Sequence, residues 1–343
     1  MKYVKIRSSE ASDLIPELMC QEVVDRNVKI RKSEGFRYIP ILPEFEEKVK
    51  AEGFELQECG TFSRGRKSPQ ERIFGLLSDL PKEILDELPM RWEYVGDIVI
   101  IRSDAPEMYH ERIGKVYAEE LDAKTVCIDS SGVSGEFRRP SMKVIFGSDT
   151  LSTRLENGIR YRFDVTKVMF ASGNTDERER MKRLNCFDET VVDMFAGIGY
   201  FTLPIAKFTG ARKVIACEKN PDSYEFLVKN VEINSVTDVV EPMLGDNRDI
   251  PGTNFADRIL MGYVQKTSEF LDKALEMVKE GGIIHYHDTF YVNEYKQKIN
   301  EVFSSKPIEY EILGIREVKS FAPSVSHYVA DVKIKQILRN PTR

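Results

Sequence analysis

Cysteine is scarce in this chain and never closely paired. The five thiols, Cys20, Cys59, Cys127, Cys186 and Cys217, include no Cys-x-x-Cys spacing. Zinc ribbons and disulfide frames both need closely set or matched cysteines, so neither is expected, and no metal site is expected. Long apolar runs are also missing: nothing approaches the roughly 20 residues of a membrane span. The first residues lack a signal-peptide pattern. These absences point to a cytoplasmic protein with reduced thiols and no membrane partner. Positive charge is in deficit too, with 50 Lys and Arg against 56 Asp and Glu and a net charge of −6. That balance argues mildly against nucleic acid as a partner. Internal repeats and low-complexity tracts do not occur.

What is present is enough chain, 343 residues, for two or three domains. The basic residues are clustered rather than spread. Arg64, Arg66 and Lys67 sit in a loop with Gly, Ser and Pro; Arg138, Arg139 and Lys143 flank Pro140; Arg160 and Arg162 alternate along a strand pattern; Arg178, Arg180, Lys182 and Arg183 form a fourth group. Each group alone reads as a solvated face. Four of them ahead of or at the start of a cofactor domain make RNA a serious candidate.

The most informative stretch is Asp193-Met-Phe-Ala-Gly-Ile-Gly-Tyr-Phe, which follows the apolar run Thr190, Val191, Val192 and precedes an amphipathic segment, Tyr200 to Phe208. Strand, tight turn and helix in that order are the first unit of a doubly wound α/β sheet. Gly197 and Gly199 let a ligand approach the main chain at the strand's carboxyl end. A second strand, Lys213 to Cys217, ends in Glu218, about twenty residues on, where a carboxylate suits ribose hydroxyls. A third, Val239 to Leu244, ends in Gly245-Asp246, placed for an adenine amine. A fourth runs Asp257 to Met261, a fifth begins at Gly281, and Ser223 to Asn234 is a helix between strands. Acidic groups at successive strand ends, without the third glycine of dinucleotide folds, favour S-adenosylmethionine over NAD, because that cofactor carries no phosphate. The plainer alternative is that Glu218 and Asp246 cap helices.

Along the chain, residues 1–75 read as a small α+β domain with a strand at Tyr38–Ile41, and Arg64–Pro69 as a linker. Residues 76–168 read as a mixed middle domain. Its short strands are Ile98–Ile101, Thr125–Ile128, Lys143–Phe146 and Arg160–Phe163, and its helix is His110–Leu121. Residues 169–343 form the cofactor domain, closed by a hairpin of Glu309–Ile315 and His327–Ile334.

Four segments together resemble a known family: Phe170-Ala-Ser-Gly-Asn-Thr-Asp-Glu-Arg178, Asp193-Met-Phe-Ala-Gly-Ile-Gly199, Asp257-Arg-Ile-Leu-Met-Gly-Tyr263, and Val318-Lys-Ser-Phe-Ala-Pro323 with His327-Tyr328. The family comprises the tRNA guanosine-37 N1-methyltransferases and their relatives, the wybutosine-synthesising aminocarboxypropyl transferases of archaea. The resemblance runs from about residue 90 to the C-terminus. It extends more faintly to Ser33–Pro40, which looks like a first domain that contacts the outer corner of tRNA. It implies a Rossmann-like class I S-adenosylmethionine-dependent methyltransferase fold with smaller N-terminal α+β domains, working as a monomer on tRNA(Phe).

Two departures separate the branches. The methyltransferases carry Ser-Pro-Arg-Leu after the Phe and Asn-x-Pro after the fourth strand. Here Ser172-Gly173-Asn174 and Met261-Gly262-Tyr263 stand instead. Both look like the aminocarboxypropyl transferase pattern, whose acceptor is carbon 7 of 4-demethylwyosine at position 37. The sulfonium activates more than one carbon, so which group moves is a matter of positioning. A reoriented methionine tail needs a cation for its carboxylate. Arg178 is expected there with Ser172 as a neighbouring donor; pairing of Arg178 with Glu177 or Glu179 is the alternative. Tyr263 and the strand-end histidines of Ile-His-Tyr-His-Asp, His285 and His287, are the candidates for handling the proton, and Phe195 or Tyr263 for stacking on a flipped base. The rivals are a guanosine-37 methyltransferase, a bifunctional enzyme, and a tRNA-binding scaffold with a vestigial cofactor fold. A NAD-dependent oxidoreductase is remoter still.

Overall fold

Val191 and Val192 face opposite sides of one strand, and each is fully buried in a different apolar core. A strand covered on both faces needs a continuous apolar run rather than an alternating one, and that is what Thr190 to Val192 supplies. The computed structural model describes residues 2–8, 10–26, 28–33, 35–58, 68–134, 139–170, 172–264 and 266–338.

This strand is the centre of a seven-stranded sheet. Numbered within it, the elements are β1 (Thr190–Asp193), α1 (Thr202–Phe208), β2 (Lys213–Glu218), α2 (Pro221–Ile233), β3 (Val240–Leu244), β4 (Ala256–Met261), α3 (Leu271–Met277), β5 (Val278–Tyr291), α4 (Tyr295–Ser304), β6 (Ile308–Ala322) and β7 (Val325–Ile337). The spatial order is β3-β2-β1-β4-β5-β7-β6. The first five strands are parallel, and β7 runs antiparallel to both its neighbours. Strand order reverses between β1 and β4, which opens a crevice outside their carboxyl ends. Asn220 starts α2 as its N-cap, accepting the Asp222 amide at 3.0 Å, with Pro221 at the first helical position.

Ahead of this sheet lies a second one, of four strands: Glu93–Val95, Ile98–Ile101, Thr125–Ser134 and Arg139–Phe146 in that order. The helix His110–Leu121 packs on it through Ile113, Tyr117 and Leu121, with Gly114 where any Cβ would come within 2.7 Å of the Ile145 carbonyl. The strand expected at Arg160–Phe163 does not join this sheet. It runs Ile159–Asp164 and forms a two-stranded sheet with Leu151–Glu156. Ile159, Tyr161 and Phe163 point inward, Arg160 and Arg162 outward. Two asparagines of the α2 region satisfy the hairpin's open edge. Asn230 Oδ1 accepts the Arg162 amide at 2.7 Å, Asn234 Oδ1 accepts the Arg160 amide at 2.9 Å, and Asn234 Nδ2 donates to the Arg160 carbonyl at 2.8 Å. One apolar core consequently runs from Val95 and Ile98 through Phe163 to Val191 and Leu203. Leu76–Arg343 forms one compact unit.

Met1–Gly75 is a separate unit. Its antiparallel sheet orders Arg31–Ser33, Phe36–Pro40, Lys2–Arg7 and Leu56–Glu58, and Ala11–Cys20 and Glu46–Ala51 are helical. Val4, Ile6, Leu18, Ile39 and Val49 form its own core. The basic residues Arg64, Arg66 and Lys67 lie outside the described residues.

Asn230 is fully buried, and its amide also donates to the Ile198 carbonyl at 3.0 Å. Asn230→Ala would leave the buried Ile198 carbonyl and the part-buried Arg162 amide without this partner, so a loss of about 2–3 kcal/mol is expected in urea unfolding. The neighbouring exposed change Lys229→Ala should shift it by less than about 0.5 kcal/mol.

Candidate active site

A cavity of about 750 Å³ opens at the carboxyl ends of β1 to β4 and extends against the four-stranded sheet. Its edge nearest β1 is the glycine turn. Gly197 has φ +57° and Gly199 +99°; a Cβ on the first would lie 2.8 Å from the Tyr200 ring, and on the second 2.7 Å from Leu203. The turn is fastened to the next strand end. Gly197 N–H donates to Glu218 Oε2 at 2.8 Å, and Asn220 N–H donates to Oε1 at 2.7 Å. Burial raises the Glu218 pKa, while these amides pull it back. The carboxylate lines the cavity with lone pairs to spare for vicinal hydroxyls.

Past β3, Asp246 accepts from Arg248 Nε and Nη2 at 2.8 and 2.7 Å and from Lys219 Nζ at 3.2 Å. Arg248 holds its carboxyl well below the usual carboxylate range. Beside it Asn247 is buried, its amide donating to the Met194 carbonyl at 3.0 Å, and its Oδ1 has no hydrogen-bond partner. An orphaned acceptor in a cavity wall calls for an N–H donor from a ligand, since a buried unmet acceptor is costly. A carboxylate with lone pairs to spare and an unmet amide acceptor in one wall suit a ligand that offers vicinal hydroxyls and an N–H donor.

Phe195 and Tyr263 wall the cavity but stack on one another, 5.0 Å apart and 16° from parallel, with Phe270 edge-on. The expectation that one of them stacks on a flipped base meets that prior engagement. Gly262 is where close packing demands glycine: a Cβ would sit 2.9 Å from the Phe201 ring, which in turn stacks on His287.

Of the residues singled out from sequence, the structure brings Phe195, Gly197, Glu218, Asp246, Gly262 and Tyr263 to the cavity wall and leaves Asp193, Gly199, Arg178 and His285 off it. Asp193 is fully buried, accepting from Thr202 Oγ1 at 2.8 Å and the Phe195 amide at 3.2 Å; it braces the turn from behind. Gly199 packs on Leu203 and Leu227. Arg178, expected to hold a ligand carboxylate, is 2 % exposed and turned into the protein. Glu156 of the hairpin receives its Nε at 2.5 Å and Nη2 at 3.1 Å, and Phe170 lies under its guanidinium at 4.8 Å. Neither Glu177 nor Glu179 is the partner that Glu156 proves to be. His285 is also corrected. It is 1 % exposed, its Nδ1–H donates to Asp331 at 2.5 Å, and its Nε2 lies 2.8 Å from Arg258 Nη1, so neither nitrogen faces the cavity. The Ser172 side chain lies outside the described residues.

The fourth basic cluster is taken up by ion pairs of its own helix: Arg180 pairs with Glu177, and Lys182 and the exposed Arg183 with Glu179. The cations that line the cavity are others, Arg91, Arg102, Lys167, Lys219, Arg248 and Lys319. Asn247 and Trp92 gave no sequence signal as site residues. Lys319 and His327 lay in a segment that carried the resemblance without a role. Among the described residues no cluster of His, Cys, Asp and Glu could hold a metal, and no helix is long and apolar enough to cross a membrane.

Burial raises the Asp193 carboxyl to about 6. Its unfolded value is near 3.9, so between roughly pH 4 and 6 the folded chain binds the extra proton, and stability falls as pH rises through that window. Asp193→Asn should flatten the slope by roughly 2–3 kcal/mol, read from urea midpoints at the two ends.

The chain is similar to known proteins over most of its length. Residues 152–313 match the TRM5/TYW2 methyltransferase domain, residues 75–150 the TYW2 N-terminal domain, and residues 4–50 the tRNA methyltransferase 5 N-terminal domain. A tRNA(Phe) (4-demethylwyosine(37)-C(7)) aminocarboxypropyltransferase of Pyrococcus horikoshii is 45% identical over 270 residues, 77% of this chain and 96% of that protein. The crystal structure of P. horikoshii TYW2 in complex with MeSAdo is 42% identical with a TM-score of 0.69, covering 78% of this chain and 100% of that one. The tRNA (guanine(37)-N(1))-methyltransferase Trm5b of Pyrococcus abyssi is 31% identical over 340 residues, 96% of this chain and 98% of that protein. Its crystal structure has a TM-score of 0.69 over 98% of this chain. With the methyltransferase sheet, the glycine turn fastened to Glu218, and a relative of such identity matched along nearly its whole length, the chain belongs to the TRM5/TYW2 family, on its aminocarboxypropyltransferase branch.

Proposed function

We propose that this chain transfers the 3-amino-3-carboxypropyl group of S-adenosylmethionine to carbon 7 of 4-demethylwyosine at position 37 of tRNA(Phe), as a cytoplasmic monomer. The observation that carries the reading is the presence of Gly173 and Gly262 in the wall of one cavity. These are the two places where the methyltransferases of the family carry an arginine-containing segment and Asn-x-Pro. A Cβ at Gly173 would lie 3.2 Å from Lys319 Cδ, so glycine there leaves the lysine its place in the wall.

When bound, S-adenosylmethionine supplies a sulfonium that activates its adjoining carbons. The chain's own residues decide which carbon meets the acceptor. Glu218 and Gly197 would hold the ribose edge, and Asn247 and Asp246 the adenine. Asp193, Gly199 and Arg178 act one layer back: the first two shape the turn, and Arg178 ties helix Thr175–Lys182 to Glu156. Ser172 stands beside Gly173 in the short helical turn Ser172–Asn174. The cations at the cavity wall suit the phosphates flanking a target base. Residues 1–75 would meet the outer corner of the tRNA, which the match of residues 4–50 to a tRNA methyltransferase N-terminal domain supports.

Trp92, the chain's one tryptophan, lines the cavity. Its emission should therefore change saturably on titration with S-adenosylmethionine, and Trp92→Phe should abolish the signal. Glu218→Gln, which weakens a charged acceptor, should raise the dissociation constant roughly 10- to 100-fold.

The decisive experiment supplies cofactor labelled in either the methyl or the carboxyl group. Acceptors are tRNA(Phe) carrying 4-demethylwyosine and, in parallel, tRNA with unmodified guanosine-37. Carboxyl label entering the first, with methylthioadenosine released, is the expected result. Methyl label entering the second would favour guanine-37 methylation, the activity named for the P. abyssi relative, and both together a bifunctional enzyme.

A further inference from the structure

Phe195 and Tyr263, the rings first expected to meet the target base, are engaged with each other, and Trp92 packs edge-on against Tyr117 with 5.9 Å between centroids. One ring of the cavity wall differs. Phe321, near the end of β6, is 47 % exposed and lines the cavity, and among the described residues no other ring lies against it. A single exposed apolar side chain is ordinary on a protein surface, so exposure alone assigns nothing. The backbone beneath this one does.

β6 and β7 pair with Ser320 opposite Ser326 and Ala322 opposite Val325. Between these two pairs β6 takes two steps where β7 takes one. Phe321 is the extra residue of a β-bulge, without a partner across the ladder. Bulges beside active sites re-aim a side chain out of the regular alternation of the strand, and the side chain so placed here is an aromatic ring at a cavity wall. The bulge also stands on a fixed base. Ala322 and Val325 flank the two-residue turn Pro323–Ser324, in which Ser324 has φ +61°. The Ser324 carbonyl accepts the Val292 amide at 3.0 Å, and Tyr291 at the end of β5 pairs with Val325. A platform held in this way loses little freedom when a ligand settles on it.

Two residues back on β6, Lys319 lines the same cavity, and its Cδ is the atom a Cβ at Gly173 would meet at 3.2 Å. Phe321 therefore stands on the side of the cavity that carries Gly173. A ring beside a lysine suits a nucleotide, with the ring under the base and the ammonium toward a phosphate.

We propose that Phe321 is the face on which the target base of the tRNA stacks, and that it sets the preference for a fused tricyclic base over guanine. The identity of that base rests on the aminocarboxypropyl reading above. A third fused ring enlarges the flat surface that meets the phenyl ring, so stacking gains more with the tricycle than with guanine. Stacking also fixes the plane of the base, which the in-line approach of carbon 7 to the cofactor requires.

The test is equilibrium binding of the full chain, with methylthioadenosine in place of the cofactor, to three fluorescently labelled forms of tRNA(Phe). These carry 4-demethylwyosine, unmodified guanosine, or no base at position 37. Phe321→Leu keeps an apolar side chain at an exposed site and removes the ring. It is expected to weaken binding of the 4-demethylwyosine tRNA roughly 10-fold, to weaken the guanosine tRNA less, and to leave the abasic tRNA unchanged. Phe321→Tyr, which keeps the ring, should bind all three as the unaltered chain does. No loss on the 4-demethylwyosine tRNA, or an equal loss on all three, would overturn the stack. Equal losses on the two base-bearing tRNAs alone would support the stack and overturn the preference. The Trp92 emission titration with S-adenosylmethionine should give one dissociation constant across the variants, and a loss there would overturn the assignment in favour of a cofactor contact. Absence of carboxyl transfer by the unaltered protein would overturn the reading of the acceptor, while the contrast between base-bearing and abasic tRNA would still decide the stack.

Discussion

The bond from the Gly197 amide to the Glu218 carboxylate is the contact on which the site depends. A carboxylate at the end of a buried parallel strand loses solvation, and backbone amides are the compensation within reach. Taking one of them from the turn after β1 fixes the distance between two neighbouring strand ends. It also fixes Gly197 in a backbone conformation that disfavours other residues, because the amide must point at β2 while Tyr200 closes over the turn. Asp193 completes the brace from beneath through Thr202. The carboxylate, rather than the glycine pattern, explains why the turn has this shape.

A second constraint joins what the sequence presents as two domains. The hairpin of Leu151–Glu156 and Ile159–Asp164 is too small to bury its own face, and a lone two-stranded ribbon is marginal in water. It lays Tyr161 and Phe163 into the core of the large sheet, and side-chain amides of α2 serve its main chain. Arg178 then ties it to the helix Thr175–Lys182 through Glu156. Both walls of the cavity, one from the four-stranded sheet and one from the strand ends, are thereby held in a single unit.

The seven-stranded sheet was legible because its strands are apolar runs of the right length and its turns carry glycine. The strands were read within a few residues, except that the closing pair, Ile308–Ala322 and Val325–Ile337, proved longer than the hairpin read from sequence. The helix His110–Leu121 lies where the sequence put it. Glu218 and Asp246 were legible as strand-end acids. The hairpin's allegiance was not, because period-2 burial says that a strand has one covered face but not which sheet covers it. Arg178 was misplaced for a similar reason. Its nearest acids in sequence are Glu177 and Glu179, whereas the partner, Glu156, is 22 residues away and belongs to the hairpin. Asn247 had no signature at all, since an orphaned acceptor exists only in three dimensions. His285 and His287 are two residues apart on one strand and share a face, but their neighbours differ: Asp331 and Arg258 absorb one, while His327 connects the other to the cavity.

The packing of Gly262 against Phe201 links the cavity wall to the interior of the large sheet. Because the glycine leaves no room for a Cβ and the Phe201 ring rests on His287, the loop after β4 and the start of α1 are a matched pair. Restoring a bulkier loop here obliges Phe201 to move, and moving Phe201 uncovers a histidine inside the protein. Residue 262 can thus change only together with the core behind it: the loop that walls the cavity and a histidine sealed in the sheet are coupled through one aromatic ring.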